Sequence, residues 1–357
     1  MHAGPLGPYD EAMVDHERPG RSLHVLWHGP GGPAPGLLRA LGPDPADLRG
    51  PLAWYPGDGP GRWTTAVDLD RVDAGTLLVP SLVPLQSGTE AFSLRLRWIG
   101  GDADLSPIRL EDPAGSLAPW PRATVGTVGR EGARAEAGLD CLETLDALHG
   151  VRLELDVLVP KGPPRLDLVV SARPRRLPVR DAGPTAPPLD VPAFSQRERD
   201  PARAADACSP VSVAMVLARL GLAPELEDFV RTSEHPHHER LLGLWPWNLA
   251  RAWEAGAAGV VRTFASARDA AHVLRAGHPI VASVRYGEGE LPGAPMPATK
   301  GHLVVLRGLE AGTVAVHDPA APTADAVPTA YDRGAFLRAW LADRGVGYVF
   351  WRREDRP

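Results

Sequence analysis

A run of prolines divides this chain into two parts. Six prolines lie within the 20 residues from Arg173 to Pro192, and proline has no backbone N–H to give to a helix interior or to the middle of a sheet. The run predicts a semi-rigid, extended linker over residues 174–188, and a length of 357 residues also favours two domains. The predicted order is an irregular segment over 1–50 with one edge strand, a β domain over 51–173, the linker, and a second domain over 189–357 that folds on its own.

Apolar and polar residues alternate through the first half of the chain. The alternation is clear in Phe92–Trp98 and Val151–Val157, and turns containing glycine or proline separate such runs. No long helical pattern appears there, so we predict an all-β domain, a β-sandwich of the jelly-roll type, with Ser22–Trp27 as the edge strand that precedes it.

Aromatic residues of this half suggest a ligand for the β domain. Such side chains stack on sugar rings, which would make the domain a carbohydrate or cell-wall binder, and the alternative is that they fill the core or bridge the domains. The residues concerned are Trp54, Tyr55, Trp63, Trp98 and Trp120.

The second half opens with a cysteine at the start of a predicted helix. Val213, Val216 and Leu217 recur at helical spacing after Cys208, and a helix amino terminus favours a thiolate over a thiol. Cys208 is therefore a candidate nucleophile. The alternative is a buried structural cysteine, because cysteine is among the most buried residue types.

Two short β-branched runs, over 301–308 and 312–319, predict a hairpin. If its loop centres on Glu310, His302 lies opposite Asp318 on one face of the sheet. A histidine held by a carboxylate is the base that a cysteine nucleophile requires. The order of cysteine, histidine and aspartate, on a helix and then on two strands, is the papain-like arrangement.

Longer motifs carry a resemblance to a family. The chain resembles family thirty-nine of the cysteine peptidases, the bacteriocin-processing or double-glycine-leader peptidases, and most of all a stand-alone bacterial branch with an amino-terminal β domain. The motifs are Val191–Gln196, Cys208–Leu217, Gly243–Asn248, Gly277–Ser283, Gly301–Val305 and His317–Ala320. The resemblance implies an α+β fold, with a β-sandwich followed by a papain-like peptidase domain.

The resemblance also implies roles for single residues. Cys208 would be the nucleophile, His302 the base, Asp318 the orienting carboxylate and Gln196 an oxyanion-hole donor. Gln196 precedes Cys208 by 12 residues, a longer gap than in the processing peptidases. Cys141 stands where the branch has a threonine, which indicates packing rather than chemistry.

One further stretch would lie near the cleft of such an enzyme. It supplies Trp245, Trp247 and Asn248 as candidate substrate-binding residues, and core packing is the alternative for the tryptophans. The long loop before His302, Tyr286–Thr299, is a candidate lid or specificity wall.

The expected function is a thiol hydrolase that cleaves peptide bonds, with no metal or organic cofactor. The alternatives are a papain-fold acyl or amide transferase and a catalytically silent peptide-binding module. The histidines at 235, 237 and 238 predict a solvated loop rather than a metal site, because their spacing does not put two ligands on one helical face.

The net charge of the chain and the length of its apolar runs limit the partners and the location that we expect. A net charge of −6 argues against a nucleic-acid partner, and no apolar run is long enough to span a membrane. A peptide or protein substrate and a monomer are expected. No signal peptide is visible, so the chain reads as cytoplasmic as it stands, although relatives of this branch are commonly exported.

Overall fold

The computed structural model describes residues 22–42, 46–84, 91–104, 125–127, 134–138, 141–159, 162–179, 183–199, 201–234 and 241–353. These residues form 18 strands and six α-helices, a mixed α/β architecture that consists mostly of sheet. No helix among them is long and apolar enough to cross a membrane.

Twelve of the strands and one helix precede the predicted linker. They are β1 (Leu23–His28), α1 (Pro35–Leu41), β2 (Asp47–Pro51), β3 (Tyr55–Pro56), β4 (Arg62–Val72), β5 (Thr76–Pro84), β6 (Ala91–Trp98), β7 (Gly101–Asp104), β8 (Val125–Thr127), β9 (Arg134–Gly138), β10 (Cys141–Thr144), β11 (Leu148–Leu158) and β12 (Leu166–Pro174).

Six strands and five helices follow the linker. They are α2 (Cys208–Arg219), α3 (Leu226–Thr232), α4 (Trp245–Glu254), β13 (Ala257–Thr263), α5 (Ala267–Arg275), β14 (Ile280–Tyr286), β15 (Thr299–Leu309), β16 (Thr313–His317), β17 (Pro328–Asp332), α6 (Arg333–Leu341) and β18 (Val346–Arg352).

The amino-terminal strands form two sheets around one apolar core. One sheet has the order β2-β1-β12-β5-β10-β9-β8 and the other β3-β4-β11-β6-β7. Alternate residues of both sheets, such as Leu168 and Leu153, meet in this core. The first predicted strand is not an edge strand, because β1 lies between β2 and β12 and pairs with both.

The seven-stranded sheet is buried on its second face as well. On β12, Leu168 and Val170 enter the amino-terminal core, whereas Val169 packs with residues of the carboxy-terminal half. Helix α1 also contacts β13, α5 and β18 of that half. The two halves therefore share an apolar interface.

The carboxy-terminal half is built on one six-stranded sheet. Its order is β13-β18-β14-β15-β16-β17, and the pairings along it are antiparallel. Helices α2 and α4 pack in one apolar cluster with this sheet, and α1, α5 and α6 pack in another. The nucleophile candidate and the histidine candidate thus come from elements in direct contact, since α2 packs on β15.

The segment predicted as a linker runs along β15. Ala186 forms a β-bridge with Leu309, and the Leu189 N–H donates to the Arg307 carbonyl at 2.7 Å. Pro188 sits so close to Gly308 that a Cβ on Gly308 would lie 2.7 Å from the Pro188 Cα.

One predicted helix boundary is wrong. The spacing of Phe336, Leu337 and Trp340 predicts a last helix over Tyr331–Asp343, but Tyr331 lies in β17 opposite Val314. The helix begins at Arg333 because the Asp332 side chain accepts the Ala335 N–H and caps it.

Candidate active site

Cys208 is the first residue of α2 and its side chain is partly exposed. The next nine residues of the helix are buried, which fixes the helix against the sheet and leaves Cys208 partly exposed at its amino end. Pro210 fits this turn because an N–H there would have no intrahelical partner.

His302 and Asp318 are in direct contact, as the sequence predicted. His302 Nε2 lies 2.7 Å from Asp318 Oδ1, and both side chains are buried. The predicted register is nevertheless wrong by two positions, because Val305 pairs with His317 rather than with Ala315. An even shift leaves every side chain on its original face, so the two residues still meet diagonally.

The position of the turn and a β-bulge together account for the different register. Leu309 pairs with Val314, which shifts the pairing at the tip by three positions from the prediction, and the bulge takes one of these positions back. Leu306 pairs with Val316 but Gly308 pairs with Ala315, so Arg307 is an extra residue on β15. Arg307 is also the residue that holds the linker, since its Nη1 donates to the Leu189 carbonyl at 2.9 Å.

Cys208 lies close enough to the same imidazole to act on its pKa. Because Asp318 occupies Nε2, Nδ1 is the ring nitrogen left for the thiol. Burial lowers the pKa of His302, but the hydrogen bonds and charges of Asp318 and Cys208 outweigh it and raise the pKa to about 10. His302 therefore holds a proton at neutral pH between a carboxylate and a sulfur atom.

The Asp318 carboxylate has three donors. Besides His302, the Ala320 N–H donates to Oδ1 at 2.9 Å and the Tyr331 hydroxyl donates to Oδ2 at 2.7 Å. Burial raises the pKa of Asp318, but these hydrogen bonds and the His302 charge hold it below its ordinary value. Sequence reasoning missed Tyr331, because the residue was assigned to the start of a helix.

Gln196 is hydrogen-bonded both to the loop that contains Asp318 and to the loop that precedes Cys208. Its backbone N–H donates to the Pro319 carbonyl at 2.8 Å, next to Asp318. Its side-chain Nε2 donates to the carbonyl of Ala204 at 2.8 Å and contacts that of Ala205 at 3.4 Å. In this conformation the amide that was predicted to face the oxyanion binds the loop ahead of Cys208, and its buried Oε1 has no partner among the described residues.

The three predicted substrate-binding residues have packing partners. Trp245 is buried in the cluster that contains α2. Trp247 packs against the amino-terminal core and donates from Nε1 to the Thr232 carbonyl at 3.1 Å. Asn248 is fully buried, and its Nδ2 contacts Ser209 Oγ, beside Cys208, at 3.2 Å. Contact of Trp245 and Asn248 with a substrate would require their burial to change.

The remaining chemical candidates of the sequence are the second cysteine, three histidines and one aromatic residue. Neither Cys141, which is buried, nor Cys208 is in a disulfide. Among the residues that the structure describes, no cluster of His, Cys, Asp or Glu could hold a metal ion. The histidines at 235, 237 and 238 and the aromatic Trp120 lie outside the described residues.

A comparison with known protein families found a match to most of the second half of the chain. Residues 188–348 match a family model described as "Peptidase_C39 like family". This segment is related to the C39 peptidases. The C39-like segment contains Gln196, Cys208, His302 and Asp318.

One solved structure is similar to the C39-like segment. It is described as "Crystal structure of a double glycine motif protease from AMS/PCAT transporter in complex with the leader peptide". The match has 17% identity and a TM-score of 0.31, and it covers 46% of this chain and 94% of the other. No curated protein matches the chain.

Proposed function

We propose that the chain is a thiol hydrolase that cleaves peptide bonds through Cys208, His302 and Asp318. The observation that carries this proposal is the single imidazole of His302, which contacts the Asp318 carboxylate at 2.7 Å and whose pKa is also raised by the nearby Cys208 thiol. This is the arrangement that nucleophilic catalysis by a thiol requires.

In the first step the His302 imidazolium carries the Cys208 proton on Nδ1, and the sulfur attacks the carbonyl carbon of the scissile bond. Asp318 keeps the ring oriented and stabilises the imidazolium. In the second step the imidazolium gives its proton to the departing amine, and a thioester remains on Cys208. In the third step His302 deprotonates a water molecule, which hydrolyses the thioester and regenerates the thiol.

We assign the oxyanion donors to the Cys208 backbone N–H and the Gln196 side chain. Support for Gln196 is its position, because its backbone is bonded to the residue after Asp318 and its side chain to the loop that leads to Cys208. To act as a donor, the amide must exchange its bond to the Ala204 carbonyl for one to the oxyanion.

We further propose that the amino-terminal half is a β-sandwich with a jelly-roll topology, joined to the hydrolase by a linker over 174–188. The two sheets around one core support this. The burial of the aromatic side chains decides which of them could stack on a carbohydrate. Trp98 is in the core, Trp54 and Trp63 pack against it, and Tyr55 is exposed.

A digest of a random peptide mixture, with products identified by mass spectrometry, tests the function. The wild-type chain should release new amino and carboxyl termini, and Cys208→Ala should release none. Cys141→Ser is the matched control, and it should keep the activity because Cys141 is buried in β10, outside the C39-like segment. Equal cleavage by the Cys208→Ala protein would overturn the proposal, and an acyl product joined to added glycinamide would instead indicate the transferase.

A further inference from the structure

Tyr331 hydrogen-bonds to the carboxylate oxygen of Asp318 that does not contact His302. Its hydroxyl donates to Oδ2 at 2.7 Å, while His302 and the Ala320 N–H are both bonded to Oδ1. Tyr331 and Asp318 are each 1% exposed. A bond of this kind, from a hydroxyl to a buried carboxylate with no competing water, is among the stronger ones in proteins.

The effect of this bond is to fix the plane of the carboxylate. Donors on one oxygen alone would leave the group free to rotate about its Cβ–Cγ bond. Tyr331 lies on β17 and His302 on β15, so the two oxygens are held from the two sides of β16, which leads to Asp318. His302 Nε2 then meets Oδ1 in a single orientation.

We propose that Tyr331 is a positioning residue that fixes the Asp318 carboxylate and thereby controls how His302 presents its second nitrogen to Cys208. This inference rests on the proposed function, because it concerns the same three residues. Tyr331 touches neither the sulfur nor a substrate, and it acts through Asp318.

The titratable groups that interact with Asp318 belong to three elements. They are Tyr286 on β14, His302 on β15 and Tyr331 on β17, and Cys208 on α2 interacts with His302 in turn. Burial and the Asp318 charge raise the pKa of Tyr286 to about 12 and that of Tyr331 further still. Both tyrosines therefore keep their protons under working conditions, and Tyr331 stays a donor.

Tyr286 offers a matched control. It is buried like Tyr331, but its hydroxyl has no hydrogen-bond partner among the described residues. Tyr331→Phe and Tyr286→Phe each remove one buried hydroxyl, and only the first removes a bond to Asp318. The ring of Tyr331 stacks on Phe336 at 6.3 Å, and a phenylalanine keeps that contact.

The experiment measures the rate at which iodoacetamide alkylates Cys208 between pH 4 and 10, by mass spectrometry, in the full chain. Tyr331→Phe should slow alkylation of Cys208 by about tenfold, given the strength of hydrogen bonds to charged groups. It should also move the acid limb of the profile to higher pH, because the Asp318 anion has lost a donor. Tyr286→Phe should match the wild-type protein.

A double-mutant cycle tests whether the effect passes through Asp318. In the background of Asp318→Asn, Tyr331→Phe should cause no further loss. An unchanged rate and acid limb for Tyr331→Phe, or the same tenfold loss in the Asp318→Asn background, would overturn the inference.

The alkylation experiment separates a failure of the Tyr331 inference from a failure of the proposed peptide cleavage. Alkylation needs no peptide, so a slow Tyr331→Phe protein supports positioning even if the wild-type chain cleaves no peptide. Conversely, peptide cleavage by wild type with unchanged alkylation in Tyr331→Phe rejects the positioning role alone.

Discussion

Arg173 and Phe264 join the two halves of the molecule through a buried hydrogen bond. Arg173 Nη1 donates to the Phe264 carbonyl at 2.7 Å, and its Nη2 donates to the Leu341 carbonyl at 2.8 Å. Arg262, in the carboxy-terminal half, donates from Nη1 to the Leu41 carbonyl of the amino-terminal half at 2.7 Å. Buried arginines therefore satisfy backbone carbonyls on both sides of the interface.

We expect residues 189–357 alone to be poorly soluble, contrary to the independent folding that the proline run suggested. Removing the first half would expose the apolar surface that α1 and β12 cover and would leave Arg262 without two of its carbonyl partners. The measurement is soluble yield and the cooperativity of urea unfolding, with residues 22–357 as the control. A cooperative transition for the fragment would contradict this prediction.

Substitution of Arg173 should destabilise the chain. Arg173→Ala leaves two buried carbonyls without donors, and we expect the free energy of unfolding to fall by about 2–4 kcal/mol. Arg176→Ala is the matched control, because Arg176 is exposed and should change little. Thermal and urea unfolding of the full chain measure both, and equal stability of the two variants would argue against the role of Arg173.

The His302–Asp318 pair should make stability depend on pH in two windows. The pKa of His302 is raised from 6.5 to about 10, so its contribution is fully present below about pH 6.5 and is lost as the pH rises through about 10. The pKa of Asp318 is lowered from 3.8, so its contribution is present above that value and is lost as the pH falls through the lowered pKa.

His302→Ala should remove both windows. The difference in unfolding free energy between wild type and this variant should be greatest between about pH 4 and 6.5 and should shrink on either side. His272→Ala, on the exposed side of α5, is the control and should follow the wild-type curve. A wild-type difference that is constant from pH 3 to 10 would exclude the coupling.

Gln196→Ala should lower kcat by on the order of 100-fold and leave KM nearly unchanged, because an oxyanion donor acts mainly on the transition state. Steady-state kinetics on a peptide found in the digest measure this. Because Gln196 also binds the Ala204 carbonyl, limited proteolysis of residues 197–207 should accompany the kinetics. A wild-type kcat would remove Gln196 from the site.

The two cysteines should differ in reactivity. Cys208 is partly exposed and lies beside His302, whereas Cys141 is buried. Iodoacetamide at pH 6 should therefore label Cys208 rapidly and leave Cys141 unlabelled in the folded chain, and mass spectrometry after digestion distinguishes them. Equal, slow labelling at both positions would speak against an activated thiol.

The sequence was sufficient for the helix at Cys208 and for the contact between His302 and Asp318, because both depend on local patterns. It was insufficient for the register, because the turn centres between Ala311 and Gly312 and not on Glu310. The bulge at Arg307 adds a further shift, and it lies where Pro188 and Leu189, far away in the chain, contact β15. Tyr331 was missed for a similar reason, because only pairing with Val314 makes it a strand residue.

Polar residues on β12 are the reason that the sequence did not predict the interface between the two halves. On β12, Asp167, Ser171 and Arg173 alternate with apolar residues, a pattern typical of a strand with one face in water. The structure buries all three. Asp167 accepts the backbone N–H groups of Gly29 and Ala34, and Arg173 donates across the interface.

The extra residue at Arg307 decides where the hairpin around the site can change in length. Arg307 is the unpaired residue in the register of β15 with β16, so its deletion would restore regular pairing and leave His302 on the face that it shares with Asp318. A one-residue deletion that kept the bulge would instead turn His302 to the opposite face of the sheet. The hairpin tip between Leu309 and Val314 lies beyond the last paired residues, so an insertion there leaves both side chains in place. The hairpin can therefore change in length at its tip or at the bulge, whereas a one-residue loss with the bulge intact would separate His302 from Asp318 without altering either residue.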